Sequence, residues 1–200
     1  MKLRLILQIL MAVIIIGLVY VIYNYSIMAP VRFNKEVDSR KEVVIQKLKD
    51  IRDIEGLYLN MHGKYCSTFD SLILFVTNEE IPLVKLSARP GDSTFTNPIR
   101  DTVGYIAIID SLFKDRADFK PQNLMNIPFS NYNGSAFDQF SLQVAVVEKG
   151  NVPVNVIEVF AANKFFLKGK EKEMKRYNID PEDGLRFGSM TEPSTDGNWE

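Results

Sequence analysis

Residues 5–23 form an unbroken run of 19 uncharged side chains, in which Gln8 is the only strongly polar one. At 1.5 Å rise per residue, a helix of about 20 apolar residues spans a hydrocarbon core of about 30 Å. Lys2 and Arg4 precede the run, and Tyr20, Tyr23 and Tyr25 gather at its far end. Amphipathic rings favour that interfacial level. A cleaved secretory signal has a shorter apolar stretch and small residues before the cut. The best cleavage candidate here, Ile27-Met28-Ala29, has Ile where a small residue is needed and is followed by Pro30. The run therefore predicts an uncleaved anchor in the lipid bilayer.

The short basic segment before the run predicts an N-terminus held inside and the bulk exported. An inner-membrane, single-pass location with a periplasmic domain is the expected address. Arg32, Lys35, Arg40 and Lys41 follow the run, tempered by Glu36, Asp38 and Glu42. Without Lys2 and Arg4, the 24 basic residues fall to 22 against 25 acids, so the exported part carries a net charge of −3. With −1 for the whole chain there is no basic footprint for nucleic acid. A single Cys and a single His exclude an internal disulfide and a zinc site of the usual Cys/His kind.

Beyond the anchor, Pro30 either breaks the helix or opens a new one in its first turn. From residue 34 to residue 62 the period is helical. Val37, Val44, Leu48, Ile51 and Tyr58 form one stripe, and Val43, Ile54, Leu57 and Met61 a second. Together they make a wide apolar face that packs on a domain. A strict coiled coil would need apolar residues at positions 41 and 55, which are Lys41 and Glu55. Gly63 stops the helix. Ser67 or Thr68 caps a short helix over 69–76 that Asn78 ends, with Asp70 in its first turn.

Residues 87–100 read as a loop, 102–109 as a strand, 110–113 as a turn and 114–135 as irregular chain. The firmest β signal is a hairpin, with strands at 140–147 and 152–160 around a turn at 148–151. Leu142, Val144 and Val146 share one face of it. Residues 168–177 are a charged, helix-compatible stretch, and 185–190 a final short strand. The expected fold class is α+β: an N-terminal transmembrane helix, a long amphipathic helix and a small antiparallel sheet with helix packed on it. The expected division is a basic tail at 1–4, an anchor at 5–28, an amphipathic helix at 29–62 and an α+β globular domain at 63–200.

Groups that could carry chemistry are sparse. His62 would have to serve any triad or His-ligated metal, and it stands beside the helix stop, where a cationic ring is mildly favoured. Cys66 would need a base, and His62 is four residues away, but a buried structural thiol is the simpler expectation. There is no Gly-rich phosphate loop, no H-E-x-x-H and no G-x-S-x-G. Asp110 or Glu158 in a pocket has no supporting spacing. Asp180, Glu182, Asp183 and Asp196 lie among Gly184, Gly188 and Gly197, as calcium-ligating loops do, although turn chemistry at Asp180-Pro181 and Asp183-Gly184 explains them more simply. The reading is thus a chain without catalytic residues, cofactor or metal.

Residues 48–58, then Gly63-Lys-Tyr65, then Thr68-Phe-Asp-Ser-Leu72 make an order of long helix, Gly-x-Tyr step and short helix before a sheet. That layout resembles the type IV pilins and the pseudopilins of type II secretion. Asp183-Gly184 through Trp199 is similar to the calcium loop and terminal Trp of the major pseudopilins. The resemblance implies a structural subunit of a bacterial envelope assembly, packing through its N-terminal helix against itself or other envelope proteins. In that family a Gly precedes the apolar helix and a Glu follows shortly after. Residues 1–16 contain neither, and Cys66 stands where Pro is frequent. A single-pass scaffold or adaptor of a secretion or motility apparatus is the alternative.

Overall fold

The computed structural model describes residues 2–88, 99–116 and 118–200. Its spine is one helical rod. Helix α1 (Lys2–Ile22) passes through a wide π-helical stretch at Tyr23–Met28 into α2 (Ala29–His62). Pro30 therefore does not end the rod. It falls in the first turn of α2, after the wide turns. A proline lacks the N–H that the carbonyl four residues back would accept, and its ring clashes with that carbonyl. Wide i→i+5 turns just ahead of it absorb the mismatch. Near the start of the wide turns, Asn24 Nδ2 donates to Tyr20 O at 3.2 Å. The expected boundary at Ala29 thus coincides with a change of helix type, and regular α geometry starts five residues before the apolar period at 34.

Gly63 ends α2 at φ 73°, a left-handed conformation that glycine adopts without Cβ strain, and its N–H bonds Leu59 O at 2.8 Å. Helix α3 (Phe69–Asn78) is capped by Thr68, whose Oγ1 accepts the Ser71 N–H at 3.4 Å. Replacing Thr68 with Ala should lower stability by about 1 kcal/mol, read as a lower thermal midpoint of the domain. A midpoint that does not move would show that the long hydrogen bond contributes nothing.

Two strands follow, β1 (Glu80–Ser87) and β2 (Ile99–Ala107), paired as an antiparallel ribbon. The sequence reading places no strand at 80–87, and Pro82 sits inside this one. The structure supplies the reason it is tolerated. Ile108 N donates to Glu79 O, so the ladder alternates to leave Pro82 opposite Tyr105 in a non-hydrogen-bonded pair. The absent N–H then lies on the outer edge, where a strand proline belongs. The expected loop falls mostly on 89–98, outside the described residues. The turn expected at 110–113 is instead the end of a short helix, α4 (Ile108–Leu112). The irregular stretch holds two 3-10 turns, at Pro121–Asn123 and Tyr132–Gly134.

The hairpin is present, as β3 (Ser141–Lys149) and β4 (Val152–Ala162). Its turn is tighter than expected. Only Gly150 and Asn151 turn, with φ 59° and 64°, the paired positive φ values of a two-residue hairpin loop. Val146 shares a face with Leu142 and Val144 but is 63% exposed, because the strands run past the core there. Short helices α5 (Asn163–Phe166) and α6 (Glu171–Arg176) lead to β5 (Gly184–Gly188), which pairs with β4 and completes a three-stranded sheet in the order β3-β4-β5.

α2 lies across this sheet. Val44, Leu48, Ile51 and Ile54 are fully buried, together with Leu72 of α3, Val159 and Ala161 of β4, and Phe166. Val43, expected on the packing face, is instead 45% exposed. The fold is α+β, with a long apolar N-terminal helix and small antiparallel sheets.

Candidate functional site

The surface that most distinguishes the chain is α1. Every side chain over residues 6–23 is exposed, and no part of the domain covers them. Ile, Leu and Val dominate the stretch, and water solvates such a surface poorly. One continuous helix from Ile6 to His62 joins this surface to the core stripe of α2. The hydrogen-bonded backbone of a helix leaves no polar group to satisfy in hydrocarbon, so α1 has both the length and the backbone economy to cross a bilayer.

The sequence-selected residues lie apart from that surface. His62, in the last turn of α2, stacks beside Tyr58 at 4.4 Å between ring centroids, meets Phe75 edge-on, and places Nε2 3.4 Å from Glu79 Oε2. Cys66 is buried and its Sγ donates to Thr68 O at 3.3 Å. Burial pushes its thiol above the usual range, the opposite of an activated nucleophile. His62 and Cys66 thus serve different contacts.

The four C-terminal acids are not brought together. Glu182 pairs with Lys164 at 2.7 Å, Asp180 Oδ1 accepts the Glu182 N–H, Asp183 Oδ1 accepts the Gly184 N–H, and Asp196 Oδ2 accepts the Ser194 hydroxyl. Among the described residues, no three His, Cys, Asp or Glu side chains gather as metal ligands. The carboxylates make turn and cap bonds instead. Asp110 is exposed on α4 and Glu158 sits within the β4 ladder.

Two buried ionic features on α2 escaped the sequence reading. Glu55 is 1% exposed; its Oε2 accepts the Cys66 N–H at 2.9 Å, and its Oε1 has no hydrogen-bond partner among the described residues. Burial raises its pKa to about 7, partly offset by the Cys66 N–H. The available signal was its place seven residues after Leu48, on the core stripe. One and a half turns earlier, Asp50 is buried between Gln46, which donates to Oδ1 at 3.0 Å, and Arg116, which pairs with the same oxygen. Arg116 in turn lies over the stacked rings of Phe113 and Phe119. Lys47 donates to Asn126 O at 2.7 Å, and desolvation lowers its pKa to about 8 against the pull of Asp50. These side chains border a groove of about 480 Å³ beside α2. Their hydrogen bonds tie the irregular 113–126 stretch to the rod, a structural task.

No family model matches the chain, and neither a curated protein nor a solved structure matches it.

Proposed function

We propose that the protein is a membrane-anchored structural subunit of a bacterial envelope assembly, pilin-like or pseudopilin-like, with its α+β domain in the periplasm. One observation carries this reading: an apolar helix with no intramolecular cover continues without a break into the helix that organises the domain core. Such a rod has two apolar surfaces, and the domain buries only one. The other suits lipid and neighbouring helices of the same kind, where close packing replaces the hydrophobic drive. The polar clusters of α2 support the same reading, since each is consumed in holding the domain to the rod.

The second reading, a single-pass scaffold or adaptor, is favoured by the absence of Gly and Glu from residues 1–16. Cross-linking the native protein in its membrane separates the two. A ladder of self-adducts extending over many copies is the expected result. One discrete adduct containing other envelope proteins would instead establish the scaffold. A chain that never contacts itself would end the polymer reading.

A further inference from the structure

We infer that the domain carries a basic collar at the foot of the rod that binds anionic phospholipid headgroups. The inference rests on the proposed bilayer-spanning role of α1.

Long-range contacts return the C-terminal part of the chain to the start of α2. Phe33 stacks on Tyr177 with ring centroids 5.0 Å apart. Lys170 Nζ donates to Glu36 Oε2 at 2.8 Å, and Arg40 bonds both Glu36 Oε1 and the Phe166 carbonyl. Residues 170–177 therefore sit level with residues 33–36. If α1 fills the hydrocarbon from residue 5, about 20 residues at 1.5 Å bring it to residue 24, and Phe33 stands only about 14 Å further along the rod. The headgroup layer occupies roughly the first 5–8 Å of that distance. The collar is then within about one Debye length, ~8 Å, of the lipid surface at physiological salt.

α6 turns its cations outward at this level. Lys172, Lys175 and Arg176 recur at helical spacing and are exposed, while Met174 on the opposite side is buried. Arg176 lies 5.6 Å over the ring of Tyr177, which fixes it beside Phe33. Arg32 and Lys35 are exposed on the rod at the same height. None of these five cations has an ion-pair partner among the described residues. The nearby acids are largely engaged or outnumbered. Glu36 is shared by Arg40 and Lys170, whose hydrogen bonds and charge hold its pKa down, and Glu171 accepts the Gly169 N–H. Glu173 flanks the basic face and Asp38 lies one turn up the rod, leaving five cations against three acids counted with Glu171. The chain as a whole is net negative, so this excess is local, and it lies level with the start of α2. An anionic headgroup layer is the complementary partner for cations placed there.

Hydrogen exchange of the full chain in nanodiscs tests this, comparing neutral phosphatidylcholine with discs that also contain phosphatidylglycerol. A lysine or arginine at an anionic surface is worth roughly a fivefold gain in contact, and about one Debye length out this falls to roughly twofold, so three to four such cations should slow exchange over residues 170–177 about tenfold in the anionic discs at low salt. High salt should remove the difference. The triple variant Lys172→Gln, Lys175→Gln, Arg176→Gln should still enter the discs and lose it too. Equal exchange in both lipids, from chains that are in the discs, would overturn the collar and leave the anchor reading intact. Failure to enter either disc would overturn both. Slowing that persists in the variant would mean that other residues bind the lipid and overturn the assignment. Slowing seen only in native membranes would assign the face to an acidic protein and likewise overturn it.

Discussion

Glu55→Gln should raise the thermal midpoint of the domain at pH 8 and flatten its dependence on pH. Glu55 is buried on the core stripe of α2 with one oxygen bonded to the Cys66 N–H and the other unpaired. Its pKa is about 7 in the fold and 4.5 as a free side chain. The folded state therefore holds a proton between these values that the unfolded state has released. The contribution of Glu55 to stability is greatest below about pH 4.5, falls as pH rises to about 7, and is level above that. The difference of about 2.5 units corresponds to about 3 kcal/mol of cost at pH 8. Glutamine keeps an oxygen for the Cys66 N–H and carries no charge, so that cost should vanish, a gain offset in part by its buried amide N–H groups, which meet no acceptor among the described residues where Oε1 stands. For a chain of this size a net gain of about 1 kcal/mol should raise the midpoint by roughly 2–4 °C. Glu55→Ala should do the reverse, because the buried Cys66 N–H loses its acceptor. Identical pH slopes for Glu55→Gln and the parent would show that the carboxylate is not held in a poorly solvated site.

The second large effect concerns the anchor. Ile14 lies in the middle of α1, is 48% exposed and touches nothing in the domain core. On the proposed bilayer-spanning role of α1, Ile14→Arg places a charge near the bilayer centre, at a cost of about 3 kcal/mol on insertion scales, or roughly a hundredfold in partition. A larger share of the variant than of the parent should leave the membrane fraction on alkaline extraction, while Ile14→Leu should stay. The circular dichroism of the domain should be unchanged, since no core contact is altered. An Arg variant retained as firmly as the parent would mean that α1 does not cross lipid.

What the sequence discloses about this molecule divides by range. The apolar run, the stripe of Val44, Leu48 and Ile51, and the hairpin around Gly150-Asn151 are local patterns with periods that residue types report directly. Their positions in the structure follow that reading closely. β1 escaped it because Pro82 breaks the strand pattern, and only the pairing with Tyr105 shows that its lost N–H faces outward. The burial of Glu55 was half visible. Its heptad position placed it on the apolar face, but a glutamate there reads as an interruption until the Cys66 N–H closes on it. The meeting of Phe33 with Tyr177, or of Asp50 with Arg116, joins segments far apart in the chain, and no periodicity encodes such closure. The basic face of α6 could be read as a charged helix, but not as one lying at the foot of the rod. The C-terminal acids show the converse: their clustering in sequence suggested a shared ion, and each instead satisfies its own neighbouring N–H, hydroxyl or ammonium group.

The wide turns at Tyr23–Met28 act on direction as much as on length. An α-helix advances 100° per residue and a π turn about 80°, so six residues in wide turns leave everything beyond them about 100° behind the bearing that regular α geometry would give, with little change along the axis. Those six residues therefore set the compass bearing of the domain relative to whatever face of α1 meets a neighbour. Keeping all six and restoring regular α geometry would swing the sheet by about 100° around the rod while moving it only ~2 Å along the axis; removing one of them as well would cancel most of the swing. In a crowded array, that bearing decides which sides of adjacent domains look at each other.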